Sequence, residues 1–352
     1  MHRTISTLLF LTIVFGTVIV VTSNNWFIIW IGLEISTLAL IPLLCSNFSP
    51  RNVEATIKYF LIQAMSAALL LNGALIQAWV MGSWSILEPI NNVTSVAITT
   101  ALAFKIGLAP CHFWFPDVLQ GLPFSSGLIV STWQKIAPLV LLFSMNETMP
   151  TTLILALSGF SVLVGGWGGL NQTQTRKILA FSSIGNMGWI VATSIYSYNT
   201  ALVMLIIYLI INTTMFLILD LLNVSTLGHL NAVAQLSPVS IALVVLTTLS
   251  LGGLPPLTGF MIKFFSLYTL ITNNSIIISI PLVLGALLSL FFYLRMSFNT
   301  GLILFPHHII TLTSWRNSNS LTIISIKAWL VSCLFIASTT TMPLTVFLYV
   351  II

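Results

Sequence analysis

Long apolar runs, separated by short polar or Gly/Pro-rich joints, make up most of the chain. Because about 20 apolar residues span a bilayer as a helix, these runs predict about eleven transmembrane helices. Their approximate limits are residues 4–22, 25–46, 53–81, 94–119, 123–144, 149–170, 175–195, 200–222, 237–272, 276–299 and 323–350. The runs are continuous and do not alternate, which indicates helices and not a β-barrel. We expect an all-α membrane protein with residues 1–352 in one integral membrane domain.

The first run allows two interpretations. A basic start, an apolar stretch and small residues near position 22 are also the features of a cleaved secretory signal. The apolar stretch is long enough to span a bilayer, so we interpret it as the first helix. No Arg-rich amphipathic transit segment precedes it, so a mitochondrial location would require insertion from inside the organelle.

Composition narrows the class of protein. Only 5% of the 352 residues are charged and 57% are hydrophobic, whereas soluble domains carry about a quarter charged residues. The net charge of +5 comes from scattered basic residues that form no patch, which argues against a nucleic-acid partner. Three distant cysteines, Cys45, Cys111 and Cys333, cannot build a disulfide framework or a zinc site.

The charged joints predict an orientation. Basic residues fall at or near one side of the predicted bundle: Arg3, Arg51, Arg176, Lys177, Arg316 and Lys327. Joints on the other side contain Glu88 and Glu147 and no Lys or Arg. By the positive-inside rule, the N-terminus faces the positive-inside compartment and the C-terminus faces the opposite one.

A short motif occurs twice inside predicted spans. GLAP at 107–110 returns as GLPP at 253–256, in the fourth and ninth spans. Helices that are five apart in the order of spans run in opposite directions across the membrane. The recurrence of this motif therefore predicts an inverted repeat of two five-helix units. We place these units at about residues 1–145 and 146–300, followed by a loop and the last helix in 301–352.

Prolines in both motifs predict broken helices. Pro110, Pro255 and Pro256 lack an N–H and block the preceding helical turn. The carbonyls that lose their helical partners are those of Ile106, Leu251 and Gly252. At membrane depth such carbonyls are tolerated only inside protein or beside a hydrated cavity, although a simple packing kink is the alternative.

Four ionisable residues lie near the middle of predicted spans. They are Glu34, Lys105, Lys135 and Lys263. A charge at that depth costs about 2.5 to 3.5 kcal/mol on insertion scales, and such residues commonly mark ion pathways. Three lysines against one glutamate leave at least two amines without an acid, and burial favours their neutral form. Such a row is suited to relaying protons; the alternative is that Glu34 serves only as a structural partner of Lys105.

His112, two residues after Pro110, has two possible roles. It could hydrogen-bond the freed backbone or serve as a relay member. Lys58, Asp117 and Asp220 lie near span ends, where snorkelling and boundary positions explain them.

Several motifs of redox enzymes are missing from the sequence. It contains no GxGxxG after a strand, no cysteine set for an iron–sulfur cluster and no paired histidines for haem. GGWGGLNQ at 165–172 lacks a P-loop pattern and indicates close helix packing followed by a loop. We therefore expect this chain alone to do no redox chemistry.

Five segments together resemble a known family. IGLEIS, FKIGLAPCHFWFPDVLQG, TWQKIAP, GGLNQTQTRKILAFSSIGNMGW and SLGGLPPLTGFMIKF are similar, in order, to the chain 2 family of mitochondrial NADH:ubiquinone oxidoreductase, respiratory complex I. The resemblance covers nearly the whole chain and weakens after about residue 300. It implies an antiporter-like fold of inverted five-helix repeats with two broken helices, in a form shortened by three helices.

The resemblance also implies functional roles. Glu34 and Lys105 would form a coupled pair, Lys135 would be the central relay lysine, and Lys263 would serve the second broken helix. The chain would be a core membrane-arm subunit of a proton-translocating NADH:ubiquinone reductase in the mitochondrial inner membrane, with its N-terminus on the matrix side and its C-terminus on the intermembrane side. Its partners would be the other membrane-arm subunits and lipid. NADH, FMN, iron–sulfur clusters and ubiquinone would be bound elsewhere in the complex, and this chain would bind no cofactor or metal.

One position departs from the family pattern. Many relatives have histidine in SSIxHxG, where this chain reads SSIGNMG with Asn186. An amide does not titrate, so no proton exchange at 186 can be required. Two other functions remain open: a free-standing cation/proton antiporter, and a structural spacer between neighbouring subunits.

Overall fold

The computed structural model describes residues 3–86, 91–146, 148–234, 238–301 and 321–340. These residues form helices connected by short turns. In chain order they are α1 (Arg3–Thr22), α2 (Trp26–Leu44), α3 (Pro50–Met81), α4 (Asn92–Ile106), α5 (Trp114–Gly121), α6 (Phe124–Ser131), α7 (Trp133–Ser144), α8 (Thr151–Gly169), α9 (Thr175–Ser194), α10 (Tyr198–Leu222), α11 (Leu227–Ala234), α12 (Pro238–Gly252), α13 (Gly259–Thr272), α14 (Ile276–Gly301) and α15 (Leu321–Thr340).

Every predicted span contains helix. Seven described segments are long and apolar enough to cross a membrane, with α6 and α7 counted together, and shorter apolar helices accompany them. The all-α membrane class is therefore confirmed. The last predicted span continues past the described residues at 340. Helix α11 is the one described helix that the apolar runs did not predict, because its eight residues are too few to span.

Both proline motifs interrupt a span, and they do so with the same backbone geometry. Helix α4 ends at Ile106, and Gly107 follows in the left-handed region with φ +81°; α12 ends at Gly252, and Gly253 has φ +73°. Glycine adopts this conformation readily, which makes it the usual residue after a helix end. The amide of Leu108 then donates to the Ala103 carbonyl at 3.0 Å, and that of Leu254 donates to Leu249 at 3.3 Å.

A third interruption separates α6 from α7 at Thr132. Its φ and ψ of −117° and −70° depart from helical values, and the Thr132 hydroxyl donates to the Leu128 carbonyl at 2.6 Å. The apolar run over 123–144 had predicted one uninterrupted helix. No proline or glycine stands at 132, so the residues there carry no local signal of the interruption. It places Lys135 in the first turn of α7.

Glycines bring α8, α9 and α14 into close contact. A Cβ at Gly165 would lie 2.7 Å from the Gly185 nitrogen on α9, and one at Gly166 would lie 2.6 Å from the Gly285 oxygen on α14. These distances are too short for any side chain. The GGWGG stretch therefore packs helices closely, as predicted.

Basic residues gather at one end of the bundle. The Arg176 guanidinium donates to the Leu122 carbonyl, joining the start of α9 to the α5–α6 turn. Arg295, at the end of α14, donates to the carbonyls of Leu170 and Gln172 at 2.6 Å each. These contacts connect the α5–α6 and α8–α9 turns and the last part of α14, on the side where the sequence predicted positive charge. Glu88, Glu147, Arg316 and the Lys327 side chain lie outside the described residues.

Candidate functional site

Lys105 lies in the last turn of α4, immediately before the first break. Its side chain is 5% exposed, and its ammonium nitrogen is buried without a hydrogen-bond partner. The break beside it is stabilised by Trp114, whose indole N–H donates to the Phe104 carbonyl at 3.2 Å. This contact satisfies a carbonyl at the end of α4. A backbone group at this break was predicted to need a partner, and the indole of Trp114 supplies one.

Glu34 shares this region with Lys105. Its charge acts on Lys105 and on Tyr59 of α3, but Glu34 makes no ion pair with Lys105 within 4.0 Å. The Oε2 atom of Glu34 and the hydroxyl of Tyr59 are also buried without a partner. Buried polar atoms without direct partners are the usual hydration sites of protein interiors. Three such atoms from α2, α3 and α4 make this region the best candidate for internal water.

His112 lies in the turn after the first break. Its ring nitrogen Nδ1 donates to the Pro110 carbonyl at 3.3 Å, and the side chain is 6% exposed. His112 was predicted to hydrogen-bond the freed backbone or to relay protons; its acceptor in the structure is the carbonyl of Pro110 and not the freed carbonyl of Ile106. His112 also lines a cavity of about 600 Å³ together with Asp117 and Lys177. A relay role for His112 stays a prediction.

Lys135 is surrounded by one hydroxyl and two aromatic rings. Its ammonium donates to the Ser183 hydroxyl of α9 at 3.2 Å. It also lies 4.2 Å from the centroid of the Phe115 ring and 5.9 Å from that of Tyr208. Aromatic faces attract cations, and desolvated contacts of this kind are worth about 2 kcal/mol. Phe115 belongs to α5, so Lys135 adjoins the segment that follows the first break.

Lys263 lies in α13, after the second break, and contacts the end of the helix that precedes the break. Its ammonium donates to the Gly252 carbonyl, the last of α12, at 2.6 Å. Gly252 is one of the residues whose carbonyls the prolines were predicted to free. The end of a helix carries a partial negative charge that favours a cation. The freed carbonyl and the half-buried lysine are therefore each other's partners.

The site residues do not form ion pairs with one another. Among the residues that the structure describes, ion pairs within 4.0 Å join only Lys58 to Glu54, at 2.6 Å, and Lys58 to Asp117, at 3.8 Å. Both partners of Lys58 are largely exposed, so these pairs contribute little. Lys105, Lys135 and Lys263 thus have no carboxylate within that distance.

Several neighbours of the lysines were not predicted. Ser183 and Tyr208 are common residue types inside apolar runs, and they reach Lys135 from other helices. A polar residue in an otherwise apolar span was the only available signal. The part of the chain that the structure describes contains no cluster of three or more His, Cys, Asp or Glu side chains suited to a metal ion.

Family models match almost the entire chain. One, described as "NADH:quinone oxidoreductase/Mrp antiporter, TM", matches residues 23–289, and another, "NADH dehydrogenase subunit 2 C-terminus", matches 290–349. A sea-urchin protein from Strongylocentrotus purpuratus, named NADH-ubiquinone oxidoreductase chain 2, is 66% identical over 351 residues and covers 100% of both chains. The chain belongs to the NADH-ubiquinone oxidoreductase chain 2 family. Proteins of the same name from Patiria pectinifera and Xenopus laevis are 51% and 47% identical, covering 92% and 85% of this chain and 91% and 84% of theirs.

Solved structures share the fold of this family member. A chain of respiratory complex I from Thermus thermophilus with bound aureothin superposes with a TM-score of 0.81 at 24% identity, covering 97% of this chain and 80% of that one. A chain of the Mrp complex from Dietzia gives 0.75 at 18% identity, covering 83% and 59%. At such identities the likeness concerns the fold alone. It confirms the antiporter-like architecture that the resemblance implied.

Proposed function

We propose that the chain is a core membrane-arm subunit of respiratory complex I and takes part in proton translocation across the mitochondrial inner membrane. Membership of the chain 2 family supports the assignment. The observation that carries the translocation role is that Lys105 and Lys135 are buried, and Lys263 is half-buried, beside helix interruptions. Among the residues that the structure describes, no carboxylate lies within 4.0 Å of any of the three amines.

Each of these lysines has an environment in which the amine can exist with or without its extra proton. Lys135 donates a hydrogen bond to the hydroxyl of Ser183, and Lys263 donates one to the backbone carbonyl of Gly252. Neither acceptor carries a full charge. An amine held in this way can lose its proton without leaving an unpaired carboxylate in the interior. Glu34 and Lys105 would be the coupled pair at one end of the relay: both place a buried polar atom without a hydrogen-bond partner in this region, and no ion pair within 4.0 Å joins them.

The remaining features of the assignment follow from this role. Electrons would pass from NADH to ubiquinone in other subunits, which would hold FMN and the iron–sulfur clusters, and this chain would bind none of these groups. It would contact other membrane-arm subunits and lipid. Its N-terminus would lie on the matrix side and its C-terminus on the intermembrane side. Residues 1–145 and 146–300 would be the two inverted units, ahead of a matrix-side loop and the last helix.

The decisive experiment replaces Lys135 by methionine in the assembled complex. Methionine retains much of the side-chain volume and removes the titratable amine. With the complex in sealed vesicles, we expect proton uptake coupled to NADH oxidation to slow by roughly 10²-fold, because general acid–base groups contribute at least that much. Lys177→Met, near the start of α9, is the matched control and should pump normally. Undiminished pumping by Lys135→Met with normal NADH oxidation would refute the translocation role.

A free-standing antiporter is the second candidate, because the fold is shared with a chain of the Mrp complex. It predicts that the purified chain in liposomes exchanges cations for protons without any other subunit. A structural spacer predicts a different result: Lys135→Met would lower the amount of assembled complex but leave its pumping per NADH unchanged.

A further inference from the structure

The interruption between α6 and α7 deprives one backbone carbonyl of its helical donor. In a continuous helix the amide of Lys135 would donate to the carbonyl of Ser131, four residues earlier. In the structure this amide donates to the Thr132 carbonyl, at 3.3 Å. Because a buried carbonyl without a donor is unfavourable, the Ser131 carbonyl needs a partner from another part of the bundle.

Tyr208 of α10 supplies this donor. Its hydroxyl donates to the Ser131 carbonyl at 2.9 Å, and the two residues are 1% and 0% exposed. The ring of the same tyrosine faces the Lys135 ammonium, with 5.9 Å between the nitrogen and the ring centroid. A single side chain thus holds the backbone at the end of α6 and borders the amine that follows the interruption.

Asn212 lies one turn after Tyr208 on the same face of α10. Its Nδ2 atom donates to the Tyr208 hydroxyl at 3.1 Å and to the Ser131 Oγ at 3.2 Å. Each of these hydroxyls already donates its own proton, Tyr208 to the Ser131 carbonyl and Ser131 to the Leu128 carbonyl. Both can therefore only accept from their shared neighbour, and a carboxamide has the two N–H donors that this requires.

The three side chains form one hydrogen-bonded network at the interruption. Ser131, Tyr208 and Asn212 are each at most 1% exposed, so bulk water cannot replace a bond that is lost. Polar networks that are buried in this way hold their members in one arrangement. This network fixes the end of α6, and Lys135 follows within the first turn of α7.

We propose that Tyr208 and Asn212 are positioning residues for Lys135. They hold the end of α6 so that the first turn of α7 presents the amine to its serine acceptor on α9. This inference rests on the proposed function. Tyr208 acts through the carbonyl of Ser131, and Asn212 acts through Tyr208 and the Ser131 hydroxyl. Neither residue gives or takes a proton in this role.

The test removes each contact and keeps the shape of the side chain. Tyr208→Phe keeps the ring beside Lys135 and removes the hydroxyl, whereas Asn212→Leu keeps the branching and removes both donors. In the assembled complex in sealed vesicles, we expect each change to slow coupled proton uptake by roughly tenfold or more, because misplacing a reacting group by about 1 Å can cost roughly 10²-fold. The double variant should be slowed by much less than the product of the two factors, because both changes act through the same end of α6.

The pH dependence of uptake separates positioning from a general loss of structure. A complex that is merely less well folded takes up protons more slowly by the same factor at every pH. An amine that has been displaced titrates in different surroundings, so the factor should differ from one pH to another. A constant factor over the pH range in which the unmodified complex pumps would overturn the inference.

Thr175→Val is the matched control. The Thr175 hydroxyl is also 0% exposed and donates to the backbone of another segment, the Val224 carbonyl, at 2.9 Å. It lies at the start of α9 and not at the α6–α7 interruption. We expect Thr175→Val to lower the thermal stability of the complex about as much as Tyr208→Phe does, and to leave coupled proton uptake normal. Equal slowing by the two variants would count against the inference.

The remaining outcomes separate this inference from the proposed function. Normal uptake by Tyr208→Phe and Asn212→Leu, while Lys135→Met is impaired, would overturn the inference and leave the proposed function intact. Normal uptake by Lys135→Met would refute the proposed function itself. If Tyr208→Phe fails to assemble, the uptake of Asn212→Leu and its pH dependence decide the question.

Discussion

Among the described residues, the ammonium of Lys135 has one direct hydrogen-bond acceptor, the hydroxyl of Ser183. The rings of Phe115 and Tyr208 face the same nitrogen and favour its charged form. Such surroundings hold a cation weakly enough for it to discharge, whereas a carboxylate at hydrogen-bonding distance would hold it strongly. Ser183 is therefore the residue on which the orientation of this amine depends.

Replacing Ser183 by alanine tests this dependence. The change leaves the buried ammonium without its hydrogen bond, a loss worth about 1 to 3 kcal/mol. We expect slower coupled proton uptake at unchanged NADH:acceptor activity, measured in vesicles of the assembled complex. Ser194→Ala is the control: it removes a buried hydroxyl from the same helix, but one that only donates to the Val191 carbonyl. Equal effects of the two changes would contradict a specific role for Ser183.

At this scale the sequence predicted the charged residues better than their partners. Lys105, Lys135 and Lys263 stood out because charges are rare in apolar spans. Their neighbours did not, because Ser183 and Tyr208 reach Lys135 from helices whose packing no local pattern encodes. The coupling of Glu34 with Lys105 stays a prediction; the structure leaves Glu34 Oε2 and the Lys105 ammonium buried without a hydrogen-bond partner.

Helices α8 and α9 depend on glycine for their separation. Gly165 lies so close to the backbone of Gly185 that a Cβ at position 165 would be 2.7 Å from the Gly185 nitrogen, which leaves no room for a methyl group. Because α9 carries Ser183, this contact also sets the position of the Lys135 acceptor relative to α8.

Alanine at two glycines should give opposite results. Gly165→Ala places a Cβ 2.7 Å from the Gly185 nitrogen and must force the helices apart, at a cost of about 1 to 3 kcal/mol. Gly185→Ala adds a Cβ with nothing within 4 Å and should be tolerated. Thermal inactivation of the assembled complex measures the difference. A Gly165→Ala complex as stable as the Gly185→Ala complex would mean that this contact does not set the helix separation.

The elements themselves were predictable to different degrees. Pro and Gly in the sequence predicted the breaks after α4 and α12, because proline interrupts helical hydrogen bonding and glycine readily adopts the positive φ found at helix ends. The interruption at Thr132 had no such signal, and α11 was too short for a span. GGWGG predicted close packing, but which helices met there was decided by the tertiary arrangement.

The bundle as a whole has two unlike ends. At one end, Arg176 and Arg295 connect the α5–α6 and α8–α9 turns through backbone carbonyls. At the other end, the turns after α1 and α3 pair through Asn25 and Ser85. This separation agrees with the charge asymmetry of the sequence, in which basic residues favour the matrix side.

Thiol labelling tests the orientation. In a background with Cys45, Cys111 and Cys333 changed to serine, we introduce cysteine at Asn24 or at Asn171, both of which lie in exposed turns. A membrane-impermeant thiol reagent applied to intact mitochondria stripped of their outer membrane should label Asn24→Cys and leave Asn171→Cys unlabelled. Inverted vesicles should give the reverse pattern. Labelling of Asn171→Cys from the intermembrane side would reverse the proposed topology.

The bond between Lys263 and the Gly252 carbonyl has an evolutionary consequence. Its acceptor belongs to the main chain, so no substitution at 252 can delete that oxygen while α12 still ends there. The acceptor for Lys135 is a serine side chain, which a single codon change can remove. During evolution, single substitutions can therefore change the hydrogen-bond acceptor of Lys135. The acceptor of Lys263 stays the same as long as the backbone keeps its conformation at the break.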